Sequence, residues 1–108
     1  MNIPEINIQD ARSLLTEGSA IFVDVRDPGS YEEAHIPGAL HLDNSTIRSF
    51  LDETDKDSTV VVYCYHGNAS MGATAFLQEQ GFTSVSSMSG GFTAWSDAGL
   101  DSKAGEAS

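Results

Sequence analysis

Positive charge is scarce in this chain. Five basic residues stand against sixteen acidic ones, which leaves a net charge of −11 over 108 residues. Binding to a phosphate backbone rests on Lys and Arg, so the balance argues against a nucleic-acid partner. It argues equally against an anionic membrane surface. Cysteine is scarcer still. Cys64 is the single one, so no disulfide can form within the chain, and a reducing cytoplasm is the expected location. No apolar run approaches the ~20 residues of a membrane helix. The first residues, Met1-Asn2-Ile3-Pro4-Glu5, lack the basic-then-apolar order of a signal peptide. Three scattered histidines and one cysteine show no metal-ligand spacing, so no metal and no cofactor is expected. The chain has no repeat and no low-complexity tract.

What is present is enough for one compact domain. Hydrophobic residues make up 40% of the sequence, and the length suits one core. Residues 1–100 read as that domain, and residues 101–108 read as a polar, flexible tail. Two unalternating β-branched runs, Ala20 to Val25 and Thr59 to Tyr63, have the pattern of strands buried on both faces. Ser84 to Met88 is a weaker third strand, and edge strands fit around Ile6 and around Ala39 to Leu42. Arg26-Asp27-Pro28-Gly29 reads as a turn. Helical spacing links Ile8, Ala11, Leu14 and Leu15. It also links Ile47, Phe50 and Leu51, with Asp43, Asn44 and Ser45 as capping candidates. The clearest helix runs from Ser70 to Gln80. Strands alternating with helices predict an α/β fold, a central and mostly parallel five-stranded sheet flanked by helices on both faces. In such sheets ligands bind beyond the carboxyl ends of the strands.

Cys64 lies at that end of the most hydrophobic strand, just before the clearest helix. Most lone cysteines are small buried hydrophobes. This position favours a nucleophile instead. The intervening Tyr65-His66-Gly67-Asn68-Ala69-Ser70 must turn sharply, and Gly67 and Asn68 are residue types that tolerate positive φ. Backbone N–H groups would then converge in the loop, joined by those of the helix start. A helix N-terminus alone stabilises an anion by ~0.3–1 kcal/mol, up to ~2 in favourable sites, which is roughly one pKa unit, so direct N–H bonds must supply the rest. His66 is expected to face solvent rather than serve as a general base. His35 reads as a hydrogen-bonding framework residue, His41 stays open, and Trp95 reads as core. Gly90-Gly91 is expected to let backbones pass close to the site.

Cys64-Tyr65-His66-Gly67-Asn68 closely resembles the active-site loop of single-domain bacterial thiosulfate sulfurtransferases of the rhodanese family. Three further segments resemble that family's motifs, in the same order: Val23 to Pro28, Ala34 to Ala39, and Gly90 to Trp95. The likeness covers Ile3 to Trp95. It implies a rhodanese-like fold and a thiosulfate:cyanide sulfurtransferase. Cys64 would take the outer sulfur of thiosulfate as a persulfide, release sulfite, and pass the sulfur to cyanide or a thiol. Residues 65–70 would be the backbone cradle that binds substrate. Arg26 would be an ion-pair partner in the framework. A thioredoxin-like protein is a further expected partner, and the chain would be a monomer or homodimer.

The chain departs from the family at two places. Ala69 stands where many rhodaneses have arginine, and Met71 stands where the similar bacterial enzymes have lysine. Weak use of thiosulfate follows, and with it an alternative: a persulfide relay loaded by a partner protein. A cysteine phosphatase would need an arginine at the end of the loop to clamp its oxyanion, and Ser70 is there instead. A non-catalytic binding domain would typically lack the cysteine.

Overall fold

The computed structural model describes residues 3–105. Strands and helices alternate along the chain: β1 (Glu5–Ile6), α1 (Ile8–Glu17), β2 (Ile21–Asp24), α2 (Pro28–Glu33), β3 (Leu40–His41), α3 (Ile47–Glu53), β4 (Thr59–Tyr63), α4 (Ala69–Glu79), β5 (Ser84–Met88) and α5 (Gly91–Asp97). The strands form one sheet in the order β1-β5-β4-β2-β3. Every pairing is parallel, which sharpens the expected mostly parallel sheet to an all-parallel one.

β4 is the centre of the sheet, held between β2 and β5. Its alternation divides the core. Val61 and Tyr63 point into a cluster with Ala11, Tyr31, Phe92 and Trp95, contributed by α1, α2 and α5. Val60 and Val62 point into the opposite cluster with Phe50 and Leu77, contributed by α3 and α4. All three valines are at most 1% exposed. Burying a side chain of this kind contributes about 1.5–3 kcal/mol. This is why the run lacks polar residues, and why helices cover both faces.

Two expectations need revision. Asp27-Pro28-Gly29 starts a helix rather than ending a turn. The Asp27 carboxylate accepts the Ser30 N–H at 3.0 Å as the N-cap of α2, and Pro28 occupies the first helical position, where a missing N–H costs nothing. The N-cap of α3 is Thr46 rather than Asp43, Asn44 or Ser45, because the Asp43 carboxylate is already taken by the N–H and hydroxyl of Ser45. Residues 91–97 form α5, which hydrophobic spacing alone did not reveal. Of the polar tail, residues 101–105 are hydrogen-bonded to the body. Trp95 Nε1 donates to the Asp101 carbonyl at 2.8 Å, and Lys103 bridges His35 through two backbone bonds of 2.8 Å. The remaining tail positions, 106–108, lie outside the described residues.

Asp24 and Arg26 fasten the loop after β2. Arg26 Nη2 and Nε reach Asp24 Oδ2 at 2.7 and 3.0 Å, and the Arg26 N–H reaches Oδ1 at 2.8 Å. Asp24 is fully buried and Arg26 is 6% exposed. The guanidinium also donates to the Ala34 carbonyl at 2.5 Å and lies 4.2 Å from the Phe92 ring centroid. It therefore joins three segments that are distant in sequence. Removing one member of a buried pair leaves the other charge without compensation. Arg26→Ala is expected to destabilise the fold by about 3–5 kcal/mol, read as a lower urea midpoint. A change below about 1 kcal/mol would mean that the pair behaves as a surface salt bridge.

Candidate active site

Cys64 follows β4 directly and is 5% exposed. Its sulfur is the focus of the loop that leads into α4. The Gly67 N–H reaches Sγ at 3.1 Å and the Ser70 N–H at 3.3 Å. The Ser70 hydroxyl lies 3.3 Å from Sγ and 2.7 Å from the Ser87 hydroxyl. With Cys64 as a thiol, the S–H donates to Ser70, which donates onward to Ser87. With Cys64 as a thiolate, both hydroxyls rotate and Ser70 donates to sulfur. The buried serine pair thus accepts either protonation state without stranding a polar group.

Backbone geometry sets this convergence. Gly67 has φ +96°, in the region that favours glycine. Asn68 does not share it. At φ −88° and ψ −54° it is already helical, as the N-cap of α4, and makes no side-chain cap bond. A single left-handed residue therefore turns the loop where two were expected. The outer side of the loop is held by α5. The first N–H groups of that helix have no side-chain cap. They bond the cradle instead: Phe92 N–H to the Cys64 carbonyl at 2.7 Å, and Thr93 N–H to the Tyr65 carbonyl at 2.9 Å. With those carbonyls drawn outward, the N–H groups face the sulfur. The approach is so close that a Cβ on Gly91 would lie 2.5 Å from the Tyr65 carbonyl oxygen. The expected role of Gly90-Gly91 is met at this contact.

The charge on sulfur follows from the contacts. Burial pushes the Cys64 thiol up. The Ser70 hydroxyl and the N–H groups of Ser70, Gly67 and His66 push it down by more, so it titrates below its ordinary value. Above the sulfur opens a cavity of about 260 Å³. Its wall includes Tyr65, His66, Asn68 and Ala69 from the cradle, and Val25, Arg26 and Asp27 from the loop after β2. Gly67 and Ser70 lie beneath, bonded to sulfur. All seven residues expected at the site, from Cys64 to Ser70, are therefore brought together.

The other histidines belong to the framework. His35 is 3% exposed, with Nδ1 2.8 Å from the Tyr31 carbonyl and its ring stacked on Tyr31. His41 Nε2 lies 2.6 Å from the Arg26 carbonyl, on the loop that borders the cavity. His66 is exposed at the rim. Two contacts had no sequence signal. Ser87 meets Ser70 only because β5 pairs beside β4, with Ser87 opposite Val62. The Tyr65 hydroxyl reaches Ser30 Oγ at 2.5 Å across 35 positions. No cluster of metal-ligating side chains is found among the described residues.

A parallel α/β sheet with a cysteine cradled at the carboxyl end of its central strand defines the class of protein. The rhodanese-like domain family matches residues 7–98, and the chain belongs to that family. Solved structures agree. The rhodanese-like domain of the Anabaena protein Alr3790 is 26% identical, with a TM-score of 0.85 over 96% of this chain and 80% of that one. A thiosulfate sulfurtransferase from Pseudomonas aeruginosa is 26% identical, with a TM-score of 0.86 over 97% of this chain, which spans 20% of that protein. A protein of unknown function from Rhodopseudomonas palustris, described as a possible tyrosine phosphatase, is 29% identical, with a TM-score of 0.81 over 94% and 85% of the two chains.

Ultraviolet thiolate absorbance tests the electrostatics. The Cys64 midpoint is expected below the ~8.5 of a free thiol. Ser70→Ala should raise it by about 1–2 units, since a hydrogen bond to a charged group is worth about 1.5–3 kcal/mol. The lowered folded-state value also fixes the sign for stability. The thiolate's contribution is full above the unfolded value and is lost as pH falls through the folded one.

Proposed function

We propose that this chain is a sulfurtransferase that carries sulfane sulfur as a persulfide on Cys64. Its assay reaction is transfer from thiosulfate to cyanide or a thiol, in the cytoplasm. The observation that carries the reading is the convergence of Gly67 N–H, Ser70 N–H and the Ser70 hydroxyl on one sulfur beneath an open cavity. The Cys64 thiolate attacks the outer sulfur of thiosulfate. The S–S bond of the donor breaks, sulfite leaves with the bonding pair, and a Cys64 persulfide remains. An acceptor nucleophile then attacks the outer sulfur, and Cys64 departs as the thiolate that the cradle stabilises. A lowered thiol pKa makes it a better leaving group in this second step. Sulfur moves between partners, and no external oxidant is needed.

A second reading has its own support. No Arg or Lys side chain lies between Cys64 and Gln80, and the cavity's Arg26 is neutralised by Asp24. A relay loaded by a persulfidated protein needs no anion clamp. The phosphatase reading has less support. Ser70 stands where the oxyanion-clamping arginine would be, and its hydroxyl is turned to the cysteine.

Intact mass after incubation with thiosulfate separates these readings. A single-sulfur adduct that is removed by cyanide and absent in Cys64→Ser is the expected result. An adduct only from a persulfidated donor protein would select the relay. Turnover of phosphate esters without any sulfur adduct would overturn both. Met71→Lys is expected to lower the KM for thiosulfate about sevenfold, the effect of one added unit charge on a dianion ~7 Å away in water. An unchanged KM would mean that the backbone cradle already satisfies the anion.

A further inference from the structure

The wall of the Cys64 cavity carries one Arg or Lys side chain among the described residues, Arg26, and its charge is compensated within the protein. Asp24 holds the guanidinium at 2.7 Å, and the Ala34 carbonyl takes a further N–H. The rings of Phe92 and Tyr65 lie 4.2 and 4.9 Å from its centre. The wall's other formal charge is Asp27. Its carboxylate is held by neutral donors, the Ser30 N–H at 3.0 Å and the Ser30 hydroxyl at 2.7 Å, which keep it ionised and fixed in place. Ser30 in turn accepts the Tyr65 hydroxyl, which ties Asp27 to the cradle itself. The charge on this wall that lacks an ion-pair partner among the described residues is therefore negative.

We infer that Asp27 selects the thiol that unloads Cys64, favouring a cationic aminothiol or an uncharged thiol over one that carries a carboxylate. The inference rests on the persulfide reading above and adds the class of acceptor to it. The step is thiolate attack on the outer persulfide sulfur. The acceptor S–S bond forms, the Cys64 S–S bond breaks, and Cys64 regains the electron pair. A charge elsewhere on the acceptor changes the rate through its interaction with Asp27. At ~7 Å in a water-like dielectric, one unit charge is worth about threefold in rate. Cationic and anionic acceptors should then differ by close to tenfold at low ionic strength. The difference should shrink towards unity in ~1 M salt, where the Debye length is ~3 Å.

The test loads the protein with sulfur, verifies the adduct by intact mass, and follows its unloading at pH 8 by stopped flow. Cysteamine, 2-mercaptoethanol and 3-mercaptopropionate are the probes, each normalised to its thiolate's rate with a free cysteine persulfide. The expected order is cation, then neutral, then anion. Asp27→Asn should collapse the cation-to-anion ratio by about threefold for each unit of acceptor charge. Asparagine still caps a helix, so α2 is retained. Asp57→Asn is the control. It removes the same formal charge in the turn before β4, at the opposite end of that strand from Cys64, about 16 Å away for five residues. Its ratio should match the wild type. Equal normalised rates for the three thiols, or equal effects of the two variants, would overturn the inference while the sulfur adduct stands. No adduct from thiosulfate or from a persulfide donor would instead overturn the persulfide reading, and this inference with it.

Discussion

The cradle depends on two hydrogen bonds between segments that each need a partner, the start of α5 and the loop after β4. The first turn of α5 has N–H groups without a side-chain cap, and the loop after β4 has carbonyls that must point away from the sulfur. Each satisfies the other, through Phe92 to Cys64 and Thr93 to Tyr65. An uncapped helix start would otherwise leave polar groups unpaired. The geometry allows this only if nothing projects between the two backbones, which is why Gly91 sits at the contact. Once the carbonyls are held outward, the inward N–H groups of Gly67 and Ser70 have a single target, the Cys64 sulfur.

Everything else positions that arrangement. The fully buried valines of β4 place its carboxyl end at the middle of the sheet. Trp95 and Phe92 anchor α5 in the core on one side, while Leu77 anchors α4 on the other. The Asp24–Arg26 pair keeps the neighbouring loop against the site. That same pairing removes the positive charge an anionic substrate would need. The site consequently stabilises negative charge on its own sulfur through backbone dipoles and a hydroxyl, while Asp27 is the acidic residue of its wall. Local stabilisation and long-range repulsion coexist because hydrogen bonds act at contact distance, whereas the net charge acts across solvent and is screened there.

Much of this was legible in the sequence. The strands at Thr59 to Tyr63 and Ser84 to Met88 have their expected limits, because turn residues bound both, Asp57-Ser58 before the first and Ser89-Gly90 after the second. Cys64 stood out by its position at a strand end, and four motifs in order pointed to the family that residues 7–98 match. The remainder depended on tertiary placement. α2 was hidden because Asp-Pro-Gly suits both a turn and a helix start, and only the carboxylate's bond to the Ser30 N–H distinguishes them. α5 was hidden because it begins with glycine and is capped by another part of the chain. Ser87 had no local signal. It reaches Ser70 through sheet register alone. Asn68 was a candidate for positive φ by residue type, but its place as the α4 N-cap decided otherwise.

The central claim is that a backbone-built cradle makes Cys64 a sulfur carrier. Its most direct test is the pH dependence of single-turnover sulfur loading, set beside the thiolate titration of the same residue. The account predicts one rise in loading rate whose midpoint coincides with the Cys64 titration, on the acid side of the ~8.5 of a free thiol. A midpoint at or above the free-thiol value, or no sulfur on Cys64 at any pH, would contradict it.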